Sequence, residues 1–147
     1  MQRRNRWLIG GLLVAALQLA ACGPTSAPPA SHSQPAKVEH IEGSELSRVI
    51  LTAEAAKRLD IQTAQVQDTA VSGTQRKVVP YASVIYDLHG VTWAYTSSEP
   101  LTFIRHRIDV DRIEGDQAIL TDGPPTGTAV VIVGAAELFG TEFAVGH

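Results

Sequence analysis

The sequence predicts a mostly β protein: a small antiparallel β-barrel or β-roll domain with one short helix near residues 52–59, preceded by a signal peptide and a disordered linker. Three observations lead there. Short runs of alternating or β-branched residues recur between Ile61 and Val133. Turn signals separate them, namely Asp87-Leu88-His89-Gly90, Glu114-Gly115-Asp116 and "DGPPTG" at 122–127. One stretch alone, Ala53 to Leu59, has a helix-forming composition.

The chain of 147 residues is long enough for one domain and hardly two. Its beginning is expected to be no part of the fold. Arg3, Arg4 and Arg6 are followed by an almost unbroken apolar run, Trp7 to Ala21, interrupted only by Gln18. The run is shorter than the ~20 residues a transmembrane helix needs. A basic start, a short apolar stretch and a small-residue end read as a secretory signal over residues 1–21. The unpaired thiol that follows, Cys22, is the chain's one cysteine and has no internal disulfide partner.

Residues 22–37 are expected to be a linker. "GPTSAPPASHSQPAK" holds four prolines, three serines and no large apolar residue, a composition that cannot bury a core. The folded domain is expected over 38–147. Thr52 is placed to cap the helix. Ile61, Thr63 and Gln65 alternate as a strand, and Val66 to Thr74 is expected to be a polar connection. Val78 to Thr96, "VVPYASVIYDLHGVTWAYT", reads as a hairpin of two strands about Asp87–Gly90, with Gly90 available for positive φ. In "LTFIRHRIDVDRI" one face carries Ile104, His106, Ile108 and Val110, and the other Phe103, Arg105, Arg107, Asp109 and Asp111. The first face is expected to be buried, with His106 half-buried and hydrogen-bonded, and the second wet. Gln117 to Thr121 returns the chain. Thr128 to Val133, "TAVVIV", is apolar throughout and expected to be central. "GAAELFGTEF" is expected to close the domain with a short helical turn or irregular cap.

Several chemistries find no support. Removing Arg3, Arg4 and Arg6 from the twelve basic residues leaves nine against fifteen acidic ones, a net charge of −6, which argues against nucleic acid as a partner. His32, His40, His89, His106 and His147 are scattered, with no cysteine or methionine beside them to make a soft-metal site. Asp109, Asp111, Glu114, Asp116 and Asp122 lack the pattern of a calcium loop and read as a solvated, ion-paired face. Ser83 and Ser98 stand in no nucleophile-elbow context, and no phosphate-binding glycine loop is present. The expectation is no catalytic residue, no cofactor and no metal.

Two resemblances add to this reading. Leu19-Ala20-Ala21-Cys22 resembles the lipobox of bacterial lipoproteins. It implies cleavage before Cys22 and acylation of that residue, hence a lasting membrane anchor, since each buried CH₂ contributes roughly 0.8 kcal/mol and two or three chains hold where one does not. Gly23 after the cysteine implies the outer membrane if the host has one, and in either case a site in the cell envelope facing away from the cytoplasm.

The folded part resembles the periplasmic adaptor subunits, or membrane fusion proteins, of resistance-nodulation-division efflux pumps. The pieces are "VILTAEAAKRLDIQTAQV" at 49–66, "VVPYASVIYDLHGVTWAYT" at 78–96, and residues 103–143 with their G-x-x-x-G-x-x-V-V-x-x-G ending at Gly123, Gly127, Val130, Val131 and Gly134. They span about 95 residues and resemble the β-barrel and membrane-proximal part of an adaptor. The lipoyl-like domain and long helical hairpin of a full adaptor have no counterpart here, so the chain is not expected to bridge pump and duct by itself. The resemblance implies a non-catalytic accessory of an efflux or export complex, with an inner-membrane transporter or a full-length adaptor as partner. Tyr81, Tyr86, Trp93 and Tyr95 are candidates for a partner surface, and a place in the small core is the alternative for each. A lipoprotein that binds a ligand or metal ion and delivers it to a transporter is the other functional reading.

Overall fold

A computed structural model describes residues 34–144, so the expected signal peptide, Cys22 and most of the expected linker lie outside the described residues. The strands are β1 (Ala36–His40), β2 (Ser47–Leu51), β3 (Gln62–Gln65), β4 (Gln67–Val71), β5 (Thr74–Pro80), β6 (Ile85–Tyr86), β7 (Thr92–Glu99), β8 (Thr102–Arg107), β9 (Asp109–Glu114), β10 (Gln117–Asp122) and β11 (Ala129–Val133). The helices are α1 (Ala53–Arg58) and α2 (Ala135–Ala144).

Two antiparallel sheets share these strands. One has the order β1-β2-β8-β7-β11-β3, with β6 also paired to β7, and the other has the order β4-β5-β10-β9. Neither path returns to its start, so among the described residues the expected barrel is open. The chain passes between the sheets at Val66, at Tyr81–Val84, at Ile108 and in the loop before β11.

Side-chain alternation then makes two cores. On β7 and β11, Tyr95 and Val131 pack with Val49, Leu51, Phe103 and residues of the helices, including Leu138. Their neighbours Ala94 and Val130 point the other way and pack with Val79, Ala118 and Leu120 of the second sheet. The larger sheet thus lies between a helical layer and the smaller sheet. β11 is paired on both sides, which suits its apolar sequence.

Helix α1 forms as its residues dictate. The Thr52 hydroxyl accepts from the Ala55 amide at 3.1 Å, Glu54 lies in the first turn, and Lys57 and Arg58 lie in the last. Gly134, at φ +87°, turns the chain from β11 into α2, where a Cβ would overlap Ile61 Cδ1.

Several expectations are corrected. Strand β1 takes in Ala36 and Lys37, read in the sequence as linker, because Ala36 to His40 pair with Leu51 to Ser47. Residues 67–71 form an edge strand, polar because its side chains are mostly exposed. Val78 to Tyr86 is not one strand. Pro80 ends β5, a 3-10 turn at Tyr81–Ser83 follows with Ser83 Oγ donating to Pro80 O at 2.7 Å, and only Ile85–Tyr86 pairs with β7. Residues 102–114 are two strands in different sheets. Ile108, fully buried, is the hinge, and it resets which parity faces inward. Before it Phe103 and Arg105 are buried and His106 is exposed, the reverse of the expected faces. After it the expected ion-paired surface is present, with Arg112 within 2.6 Å of Asp111 and 2.7 Å of Glu114. The closing segment is a ten-residue helix.

Candidate functional site

The pairing of β7 with β8 sets Trp93 opposite Arg107 and Tyr95 opposite Arg105. Residues two apart on a strand share a face, so all four side chains rise from the sheet on one side. Helix α2 covers that side. Leu138 and Glu142 are four residues apart and both buried, with Phe139 and Phe143 flanking them.

These elements meet in one cluster. Arg105 Nε lies 3.0 Å from Glu142 Oε1 and 2.9 Å from Oε2. The Tyr95 hydroxyl donates to Glu142 Oε2 at 2.5 Å. The guanidinium carbon lies 4.6 Å from the Trp93 ring centroid and 4.9 Å from that of Phe143. The Phe139 and Phe143 rings pack at 4.7 Å. Burial, with the Glu142 carboxylate beside it, pushes the Tyr95 hydroxyl far above the ordinary tyrosine range and keeps it a donor.

The loop at Asp87–Gly90 forms one wall. Trp93 Nε1 donates to Asp87 Oδ2 at 3.0 Å, and the amides of His89 and Val91 donate to Oδ1 at 2.8 and 2.9 Å. These bonds, that of Trp93 foremost, hold the Asp87 carboxyl below its ordinary value. Gly90 takes φ +78° to complete the turn. At its tip Leu88 is 98% exposed.

Between this loop, the β1–β2 turn, the β7–β8 face and α2 lies an open groove of about 900 Å³. Its lining is chiefly apolar and aromatic, with Leu46, Leu88, Trp93, Phe139 and Phe143, and Arg105 is set among them. Arg107, His89 and His106 also reach it. A surface of this kind recognises by apolar contact and hydrogen bonding.

The four aromatic candidates do not form one surface. Trp93 lines the groove, and Tyr95 lies fully buried beneath it, committed to Glu142, so it takes the core place. Tyr86 follows Ile85, which pairs with Trp93, so it faces away from the groove. Tyr81 and Tyr86 are both about half exposed, and the neighbouring Tyr81 hydroxyl pushes the Tyr86 pKa above the ordinary tyrosine value. Arg105, Glu142, Phe139 and Phe143 were missed in the sequence. The available signal was Glu142 four residues after Leu138 on an apolar helical stripe, a place that a carboxylate takes only with a partner.

Among the described residues no group of three or more His, Cys, Asp or Glu is placed to hold a metal ion, and no helix is long and apolar enough to cross a membrane. No protein-family model matches the chain, and no curated protein matches it. One similar solved structure is a 180-residue NMR structure from Cupriavidus metallidurans CH34, encompassing the N-terminal metal-binding site and the membrane-proximal domain of SilB. The identity is 23% and the TM-score 0.44, and the match covers 52% of this chain and 42% of that one.

Proposed function

We propose that the protein is a non-catalytic, adaptor-like accessory of an efflux or export transporter complex in the cell envelope, anchored to the bilayer through acylated Cys22. The observation that carries it is the groove beside Leu88. Its tryptophan, phenylalanines and arginine are residue types enriched at protein interfaces, tryptophan and arginine among those that carry most binding energy. The Leu88 tip is an apolar side chain presented to solvent on a turn tied by three hydrogen bonds, which suits contact with another protein. The order of sequence pieces shared with efflux-pump adaptors supports the choice of partner, an inner-membrane transporter or a full-length adaptor. The lipobox-like Leu19 to Cys22 supports the anchor, and Gly23 after it supports the outer membrane in a host with two membranes.

Affinity capture of the full chain from detergent-solubilised envelope tests the reading. It is supported if a polytopic transporter or full-length adaptor is recovered with the natural chain and lost with Leu88→Ser combined with Phe143→Ala. Labelled palmitate tests the anchor, which requires incorporation that disappears in Cys22→Ala.

A second reading, a lipoprotein carrying a ligand to a transporter, is favoured by one observation, the groove volume, which lies within the range of small-molecule sites. Native mass spectrometry separates the two. Stoichiometric small ligand on a lone monomer supports carriage.

A further inference from the structure

Arg105 is held in an unusual way for a side chain on a groove wall. Its side chain is 8% exposed, and Nε is the nitrogen engaged with Glu142. The two Nη nitrogens have no hydrogen-bond partner among the described residues, yet no buried polar side-chain atom there lacks one. The Nη edge therefore opens to the groove. The Trp93 and Phe143 rings, with centroids 4.6 and 4.9 Å from the guanidinium carbon, restrain the planar group and its remaining N–H donors. A planar fork of that kind matches a carboxylate, and the aromatic walls strengthen such a bond by excluding water.

Net charge does not select the ligand: on the lining Arg105 and Arg107 balance Asp87 and Glu45, and Glu142 pairs with Arg105. The free donors do. Asp87 is occupied by three N–H groups, so it offers little to a ligand. Arg107, His89 and His106 bring further donors, against one other acidic lining residue, Glu45. Leu88 and the half-exposed Phe143 carry the apolar surface past the groove rim, further than an enclosed small molecule would cover.

We infer that the groove takes a segment of a partner protein in which an apolar side chain stands next to a carboxylate, with the carboxylate held by the Arg105 Nη edge. This rests on the docking reading above and names the chemistry of the docked segment. The apolar side chain fills the space beside Trp93 and Phe139, and Leu88 closes over it from the loop.

The test uses the full chain in nonionic detergent with Trp7→Phe, which leaves Trp93 as the only tryptophan. The probes are acetyl-Leu-Phe-Glu-Leu-amide, its glutamine counterpart and 3-phenylpropionate, titrated against Trp93 emission. The glutamate peptide is expected to bind about tenfold more tightly than the glutamine peptide, a preference falling below about threefold in Arg105→Lys and in Phe143→Ala. Phe143 is half exposed, so its variant keeps the test valid if Arg105→Lys fails to fold. Equal binding of the two peptides, or no binding below about 1 mM, overturns the inference. So does binding of 3-phenylpropionate as tight as that of the glutamate peptide, or self-association of the chain through the groove. Capture of a transporter that depends on Leu88 and Phe143 would leave docking standing even where the carboxylate preference fails.

Discussion

Arg105 on β8 and Glu142 on α2 form a buried ion pair across 37 positions of the chain, with side chains 8% and 3% exposed. The pair fixes the helix over the sheet and sets the guanidinium plane at the groove. Removing one member of such a pair strands the other charge in a poorly solvated site. Glu142→Gln is therefore expected to lower stability by about 3–5 kcal/mol, read by denaturant titration. Replacing the polar cluster together, as Tyr95→Phe, Arg105→Met and Glu142→Leu, is expected to recover most of that loss, because no desolvated charge remains.

The Asp87 turn predicts a pH dependence. Its carboxyl is lowered from the usual 3.8, first by the Trp93 hydrogen bond. Its contribution to the folded state is thus fully present above 3.8 and is lost as pH falls through the lower folded value. In the Trp7→Phe chain, Trp93 emission is expected to hold steady down to that range and to shift below it. Asp87→Asn is expected to remove this acid transition.

Gly134 sits at φ +87° between β11 and α2. Gly134→Ala is expected to cost about 1–2 kcal/mol from the backbone alone, measured by thermal unfolding. Shortening the crowding side chain with Ile61→Val should restore only part of the loss, since it does nothing for φ.

Leu88 touches solvent over 98% of its surface. Leu88→Ser is expected to leave stability within about 0.5 kcal/mol of the natural chain, by denaturant titration. The same variant should weaken capture of the partner. A change in folding without a change in capture would make the loop structural.

The local features were legible because short-range chemistry decides them. Thr52 caps α1 through a hydroxyl three residues away, and Asp87 shapes its own turn, so both stand out in the sequence. The apolar run of β11 likewise marked a strand paired on both sides. What was hidden depends on contacts far along the chain. Arg105 alternates with Phe103 on a buried face, but only Glu142 makes that burial tolerable. An uninterrupted period of two across residues 102–114 concealed the hinge at Ile108, where one strand ends and the next joins the other sheet. Val78 to Tyr86 misled in the same way, because Pro80 and the following turn carry the chain across. The edge strand β4 escaped notice because an exposed strand needs no apolar face.

The crossings at Val66, Tyr81–Val84, Ile108 and the loop before β11 interleave the two sheets along the chain. Neither sheet is built from a contiguous stretch, so neither can be released while the other keeps all its neighbours. Val66 and Ile108 sit at two of these crossings and are themselves core residues, at 1% and 0% exposure. Heating should therefore melt both layers together in one calorimetric peak, and hydrogen exchange in β5 should slow or quicken in step with that in β7. A load applied at the groove would be shared by the whole module, with no outer layer to peel away first.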